Sequence, residues 1–513
     1  MRYLIFFLLF IISFASYSQG KKIKIDSARF SKIDEKLYPG ATIFLGDVKM
    51  IHEGAILRCN RAFYYKEKNI FKAIGNVRIN QGDTIFQTSD YVDYNGNTKK
   101  VFSWGNVVLK DPKMTLKTDT LQFLRQEKLL IYDDNATIRD SINTLKSKNG
   151  TYYLNRKKFT ATVNVTIDNP DNFIESEHLD YFTNTGQAFL YGPSTITDKN
   201  DKNKIYTERG YYNTKTDISH FIKNTTLYLN NKTIQADSIY YEKRTGFASA
   251  VKNIRIIDSV ENFVAKGNYA ELFEAKDSLF LTDKAVAISL LEKDSMYIHG
   301  DIIRVTGKPD KRKIKTFYNV KIFKSDLQGK CDSLFTNQFT GITKMFVKPV
   351  LWSERSQITG DSIFLLSNKE TEKLDSLKVL GNAFIIQNDS IDPNNYNQIK
   401  GKNMYGKFNE NQLLNLLVKG NAEAVNYNRN NDGVLETITK QLCSNLFFEF
   451  ENGEIISIDC RIQSDGKTYP PSQFPEPEKK LKGFIWRETE KPLTKNDIFK
   501  KDKKKEKDKS LNK

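Results

Sequence analysis

The sequence predicts an all-β protein, a long stack of short strands with one apolar face turned inward, jelly-roll-like or solenoid in form. Three observations carry that prediction. A short polar–apolar phrase alternates with period two, the phrase recurs down the chain at a fixed step, and helical periodicity is nearly absent.

The phrase is clearest in "TLKTDTLQF", residues 115–123, where Leu121 and Phe123 share one face and Thr120 and Gln122 the other. It returns as "TSDYVDY" with Val92 and Tyr94, as "ESEHLDY" with Leu179 and Tyr181, and as "QADSIYY" with Ile239 and Tyr241. "KCDSLFT" and "TGDSIFL" repeat it further on. Alternation of this kind marks a half-buried strand, and the Val, Ile, Thr, Tyr and Phe content suits a pleated surface.

Asp90, Asp119, Lys148 and Glu177 follow one another at 29-residue steps, and each is followed four positions later by Tyr94, Phe123, Tyr152 or Tyr181. A second strand in each unit keeps the same step through Asn106, Asn135 and Asn164, and Asp332 and Asp361 restore it after insertions. Such units cannot bury an apolar face alone, so they stack on their neighbours. Short reversals are expected at "NGN" (95–97), "RQEK", "TNTG" and "EKRTG". The prolines of "DPKM", "DNPDN" and "GPST" belong at turns or strand ends, where the missing N–H is tolerated.

Taken in order, residues 1–18 read as a signal peptide. Arg2 precedes the apolar run Leu4–Phe14, and small residues follow to a cut after Ser18. That run is shorter than the ~20 residues a bilayer span needs. Residues 19–306 and 307–465 read as β repeats with a minor break at "GKPDKRK", and residues 466–513 as an extension. The extension ends in a basic tail: residues 491–513 hold ten Lys against four acidic residues, a composition expected to be disordered. The tail either touches a membrane surface or a partner, or serves only solubility. Net charge is +17, which attracts lipid phosphates and anionic headgroups. Nucleic acid is a poor partner for an exported chain.

Several chemistries are excluded. Four cysteines without a CxxC pair and four scattered histidines make no zinc set, and no cofactor motif appears. Asp90, Asp119 and Glu177 occupy equivalent positions, which assigns them to structure before catalysis. Cys443 and Cys460 are a candidate disulfide flanking an Asn452–Gly453 turn. In an unbent hairpin Cys460 faces Asn445 and Cys443 faces Ile462. The two cysteines then sit one diagonal apart, about 7 Å between Cβ atoms, against the ~3.8 Å a bridge requires. A β-bulge is therefore needed; otherwise both remain separate thiols.

The openings Gly75–Asn76–Val77, Gly105–Asn106–Val107, Gly381–Asn382–Ala383 and Gly420–Asn421–Ala422 recur. With the strands around Asp90, Asp119, Asp237, Asp332 and Asp361, they make residues 38–460 resemble the OstA/LptA-type domains of lipopolysaccharide transport. The resemblance implies a periplasmic β-jellyroll, open along one side like a V, with outer-membrane association left open. Acyl chains of lipopolysaccharide or a related lipid rest on its inner wall, and such domains pair edge to edge with one another or with a second copy. It implies no enzyme activity and no cofactor. On this basis Val92, Tyr94, Leu121, Phe123, Leu179, Tyr181, Ile239 and Tyr241 are the candidate lipid-lining residues, since pleat geometry puts each pair on one face.

Two rival readings stand beside it. One is a parallel β-helical polysaccharide enzyme, which needs a pair of carboxylates over a groove. The other is a structural or adhesive repeat protein that binds no lipid.

Overall fold

The structure, a computed structural model, describes residues 22–501 apart from 83, 202, 230, 261, 292–293, 309–310, 369–370, 372, 411 and 452–453, and of 454 the backbone alone. The expected signal peptide, the Asn452–Gly453 turn and residues 502–513 of the basic tail lie outside the described residues. The chain forms two compact units, one ending at Asn230 and the other beginning at Asn231. Gly307, where a minor break is expected, lies inside the second unit.

The first unit is a meander. Ile70–Gln81, Ile85–Asn95, Lys100–Lys110 and Thr115–Leu124 each pair antiparallel with the next strand in sequence. Further hairpins open at Leu129–Tyr132, Lys158–Asp168 and Gln187–Asp198. Every pairing recorded among the described strands of this unit is antiparallel, so the parallel β-helix of the enzyme reading is not its architecture. Four-residue turns join the hairpins at "RQEK" and "TNTG", and their last residues, Lys128 and Gly186, have φ of 57° and 74°.

The Gly–Asn words are the corners. Gly75 and Asn76 take φ of 77° and 48°, Gly105 and Asn106 take 75° and 49°, and Gly381 and Asn382 take 71° and 48°. Two consecutive left-handed residues break the ladder. Ile74 pairs with Tyr91, but the next recorded pair is Val77 with Ser89. A bulge of this kind bends the strand, so one long strand contributes its first half to one wall and its second half to another.

The acidic marker of the recurring phrase clamps this bend from outside. Asp90 accepts a hydrogen bond from Asn106 Nδ2 at 2.8 Å, and Asp237 and Asp361 do the same for Asn253 and Asn382 at 3.1 and 3.2 Å. The residue before the marker ties the inside: Ser89 Oγ donates to the Tyr91 carbonyl at 3.2 Å, and Ser176 Oγ to that of His178 at 2.9 Å. Glycine is required twice over at Gly381. Its φ is left-handed, and a Cβ would stand 2.1 Å from the Asp361 carboxylate. Asp90, Asp237 and Asp361 are therefore corner fasteners.

The second unit keeps the same plan but buries both faces of one wall. Its inner core holds Val379, Ala383, Met404, Leu416, Val418, Ala422 and Leu446. The outer face of the same strands carries a second cluster of Phe384, Ile386, Val425, Tyr427 and Ile438, covered by Phe474 and Leu481 from the C-terminal extension. Residues 471–501 run as a strap across that outer face. Ile498, near the strap's end, packs on Val264, Val286 and Ile288.

Two buried glutamines fasten the strap. Gln398 donates to the Lys479 carbonyl at 2.7 Å and accepts from the Leu481 N–H at 2.9 Å. Gln357 repeats the arrangement with the Ile485 carbonyl at 2.8 Å and the Arg487 N–H at 2.7 Å. Each side-chain amide thus presents to the strap the donor and acceptor that a neighbouring strand would present.

Candidate functional site: the interior and its mouth

Pairing register places the candidate residues in rows along one inner wall. Tyr94 pairs with Val101 and Val101 with Phe123, and the row continues through Leu130, Tyr152, Phe159 and Tyr181 to Ala188 and Tyr212. Val92 pairs with Ser103 and Ser103 with Leu121, one step deeper. Leu179 occupies the equivalent depth opposite Ala161. Val92, Tyr94, Leu121, Phe123, Leu179 and Tyr181 are at most 3% exposed. Ile239 is buried and Tyr241 half-buried, both in the second unit on Ser238–Glu242.

The resemblance implies a groove open along one side, but in the first unit side chains fill the space between the walls. Tyr152 and Phe159 stack at 4.1 Å between ring centroids, and the inner residues Val77, Leu109, Leu116 and Ile138 of the other wall are as buried as those facing them.

The side opposite the corners, the mouth, is closed by side chains. Tyr152 belongs to the row of Val101, whereas Asp111 lies ten residues further along the strand direction. In a flat strand those positions are about 30 Å apart, yet Tyr152 donates to Asp111 Oδ2 at 3.0 Å. Only a strand folded at its corner allows this. Asp111 does two jobs. Its Oδ1 accepts from the N–H groups of Lys113 and Met114 at 2.8 and 2.9 Å, forming the "DPKM" turn, while Oδ2 also takes Lys157 Nζ at 3.0 Å.

Asp140 repeats the device in the next turn. Its Oδ1 accepts from Ile142 and Asn143 N–H, and its Oδ2 from the Tyr181 hydroxyl, which also accepts from Asn143 Nδ2 at 2.7 Å. Asn172 donates to the Tyr212 hydroxyl, and Arg125 to that of Tyr94, each at 2.7 Å. Burial, reinforced by the adjacent carboxylate, holds the phenols of Tyr152 and Tyr181 far above their ordinary pKa. They remain neutral donors.

Tyr152, Tyr212, Asp111, Asp140 and Asn172 are the residues that sequence reasoning left out of the site. The available signal was the 29-residue step itself, which carries Tyr152 between Phe123 and Tyr181.

Cys443 and Cys460 are joined as a disulfide with Cα atoms 5.8 Å apart. The hairpin does contain a register shift, at Glu449/Phe450, and it sets Cys460 opposite Leu446. That shift does not bring the cysteines face to face. The long strand Leu435–Glu451 turns a corner immediately after Cys443, beyond its pairing with Ala422, and the sulfurs meet across the inside of the bend. Cys59 and Cys331 are buried free thiols, and burial pushes each up to about 12.

Residues 20–177 match the family model of OstA-like proteins. The OstA-like segment lies within the first unit and contains the corners at Gly75 and Gly105 and the Tyr152–Asp111 latch. Among solved structures the chain is similar to the crystal structure of LptH from Pseudomonas aeruginosa, described as the LptA-homologous periplasmic component of a lipopolysaccharide transport device. Identity is 12%, the match covers 32% of this chain and 77% of that one, and the TM-score is 0.09. No curated protein matches the chain. No helix among the described residues is long and apolar enough to cross a membrane.

Proposed function

We propose that this chain is a non-enzymatic lipid carrier or bridge of lipopolysaccharide transport. The acyl chains enter the apolar interior between the two walls, and the protein works in the periplasm after export. One observation carries the reading. The walls of the first unit are joined covalently at the corners, by strands that run on from one wall into the other, whereas the mouth is held by side-chain hydrogen bonds such as Tyr152–Asp111 and Tyr181–Asp140. Such a mouth opens without breaking the sheet, because each latch contributes only about 1–3 kcal/mol. Opening exposes a continuous apolar row to an acyl chain. The OstA-like segment supports the same reading.

Partners follow from the edges. Phe30–Ile33 pairs on one side with Thr42–His52, and Phe30 and Ile33 are 71% and 67% exposed. Glu454–Arg461 pairs with Leu435–Glu451, with Ile456 exposed. Free edges are templates for strand addition, so pairing with other jellyroll proteins of the pathway or with a second copy belongs to the proposal. So does contact of the basic tail with a membrane.

The buried interior favours one competitor, a permanently closed structural repeat protein. Photocrosslinking residues placed at Val92, Leu121 and Leu179 separate the two. The carrier reading expects lipopolysaccharide adducts there in living cells and none at the outward-facing Tyr91 and Phe102. No adducts at the inner positions, or equal adducts at both sets, refutes it.

A further inference from the structure

The two walls of the second unit have unlike outer faces. The strap covers one of them at Phe384, Ile386, Val425 and Tyr427. On the other wall, pairing register sets Arg304, Lys315, Phe335, Lys344, Phe364 and Lys378 side by side in one row. Six neighbouring strands make that row about 24 Å long. Ile303, Ile314, Leu334 and Met345, which alternate with it along the strands, are buried, so pleat geometry turns the row outward. Phe280 precedes the row and Tyr405 follows it. Lys313 and Lys407 stand in the adjoining row, paired with Asn337 and Ser376.

The face carries six cations and, among the described residues, no acid. Arg304, Lys313, Lys315, Lys378 and Lys407 are exposed and Lys344 is half-buried, and none of the six forms an ion pair among the described residues. Two of them lie over rings instead. The Arg304 guanidinium is 5.7 Å from the Phe280 centroid, and the Lys344 ammonium 5.2 Å from that of Phe364. Acids stand at the borders of the face, with Asp301, Asp332 and Asp361 at the corners and Asp375 beyond Ser376. Asp301 and Asp361 are bonded there to Asn319 and Asn382. Glu271, which continues the row past Phe280, accepts from the Tyr269 hydroxyl at 2.6 Å.

We propose that this face is a docking surface for the anionic headgroups of a lipid bilayer. Charge complementarity carries the choice. A ladder of unmatched cations at strand spacing suits phosphates spread over a surface, and each Lys or Arg near such a surface adds to the attraction. The rings between the cations suit the interfacial depth, where apolar side chains and charged headgroups are met together. The basic tail is a separate segment, and the proposal does not depend on lipid entering the first unit.

The test is cosedimentation of the mature full chain with vesicles of phosphatidylcholine, with and without phosphatidylglycerol as the anionic lipid. Arg304→Gln/Lys315→Gln/Lys378→Gln removes three exposed cations from the face, and Lys503→Gln/Lys504→Gln/Lys505→Gln removes the same charge from the tail. Arg304→Lys/Lys315→Arg/Lys378→Arg keeps the charge of the face. The proposal predicts binding to the anionic vesicles alone, weakened on the order of a hundredfold by the face variant. The tail variant and the charge-keeping variant should bind like the wild type. Equal losses in the face and tail variants, no loss in the face variant, or wild-type binding to neither vesicle overturns the proposal. Polyglutamate probes the other occupant: if the chain binds it through these cations and binds no vesicle, the face serves an acidic protein and the lipid surface is wrong.

Discussion

Ending the chain at Tyr469 is expected to lower the stability of the second unit by on the order of 5 kcal/mol. Phe474, Leu481 and Ile498 of the strap are each at most 5% exposed, and burying such a side chain is worth roughly 1.5–3 kcal/mol. Removing them returns Phe384, Ile386, Val425 and Val286 to water on a face that the strap now covers. The loss is comparable with the whole stability of an ordinary domain, about 5–15 kcal/mol. Hydrogen exchange across Leu374–Asn388 and Tyr396–Asn409 should accelerate strongly in the truncated chain. A chain ending at Lys501, which keeps the strap and loses only the basic tail, should exchange like the full protein. Unchanged protection in the Tyr469 truncation would show that the strap is an ornament on an already stable wall.

The second large effect is expected at Asp111. Its side chain is 1% exposed and serves the turn, the Tyr152 hydroxyl and Lys157 together. Asp111→Ala removes the turn acceptor and strands a buried phenol and a partly buried ammonium, a loss of about 3 kcal/mol. Tyr152→Phe removes one donor and leaves the carboxylate with its other partners, so about 1 kcal/mol is expected. The order matters more than the size. Hydrogen exchange on Lys100–Lys110 and Asn149–Tyr153 should rank Asp111→Ala well above Tyr152→Phe. The reverse order, or no effect from either, contradicts a mouth held by this carboxylate.

The strand character of the chain and the shared face of Leu121 and Phe123 were legible because a pleat writes itself as period two. The corners written Gly–Asn were legible as words, since glycine and asparagine sit most readily at the left-handed φ that Gly105 and Asn106 adopt. What those words do was not legible, because the bend that folds a strand into two walls is an angle, and alternation carries no angle. Everything that depends on the bend was hidden with it. Tyr152 and Asp111 are 41 residues apart in sequence and meet only after the fold. Cys443 and Cys460 meet inside a corner, whereas in an unbent hairpin they stand a diagonal apart. The strap left a different trace. "VLW" at 350–352 and "AFII" at 383–386 break the alternation with consecutive apolar residues, the pattern of strands covered on both faces. Reading every strand with one buried face passes over those runs, and nothing in them shows that residues 471–501 supply the cover.

The central claim is that lipid reaches the interior through the mouth of the first unit. Lys113 and Asn184 face each other across it and are both exposed. Lys113→Cys/Asn184→Cys can be joined by a reducible bis-maleimide, because Cys59 and Cys331 are buried and Cys443 and Cys460 are bridged. With a photocrosslinker at Leu121, the joined protein should capture no lipopolysaccharide in vitro, and cleaving the link should restore capture to the level of the unjoined variant. Equal capture by the joined and released forms would contradict entry through this mouth.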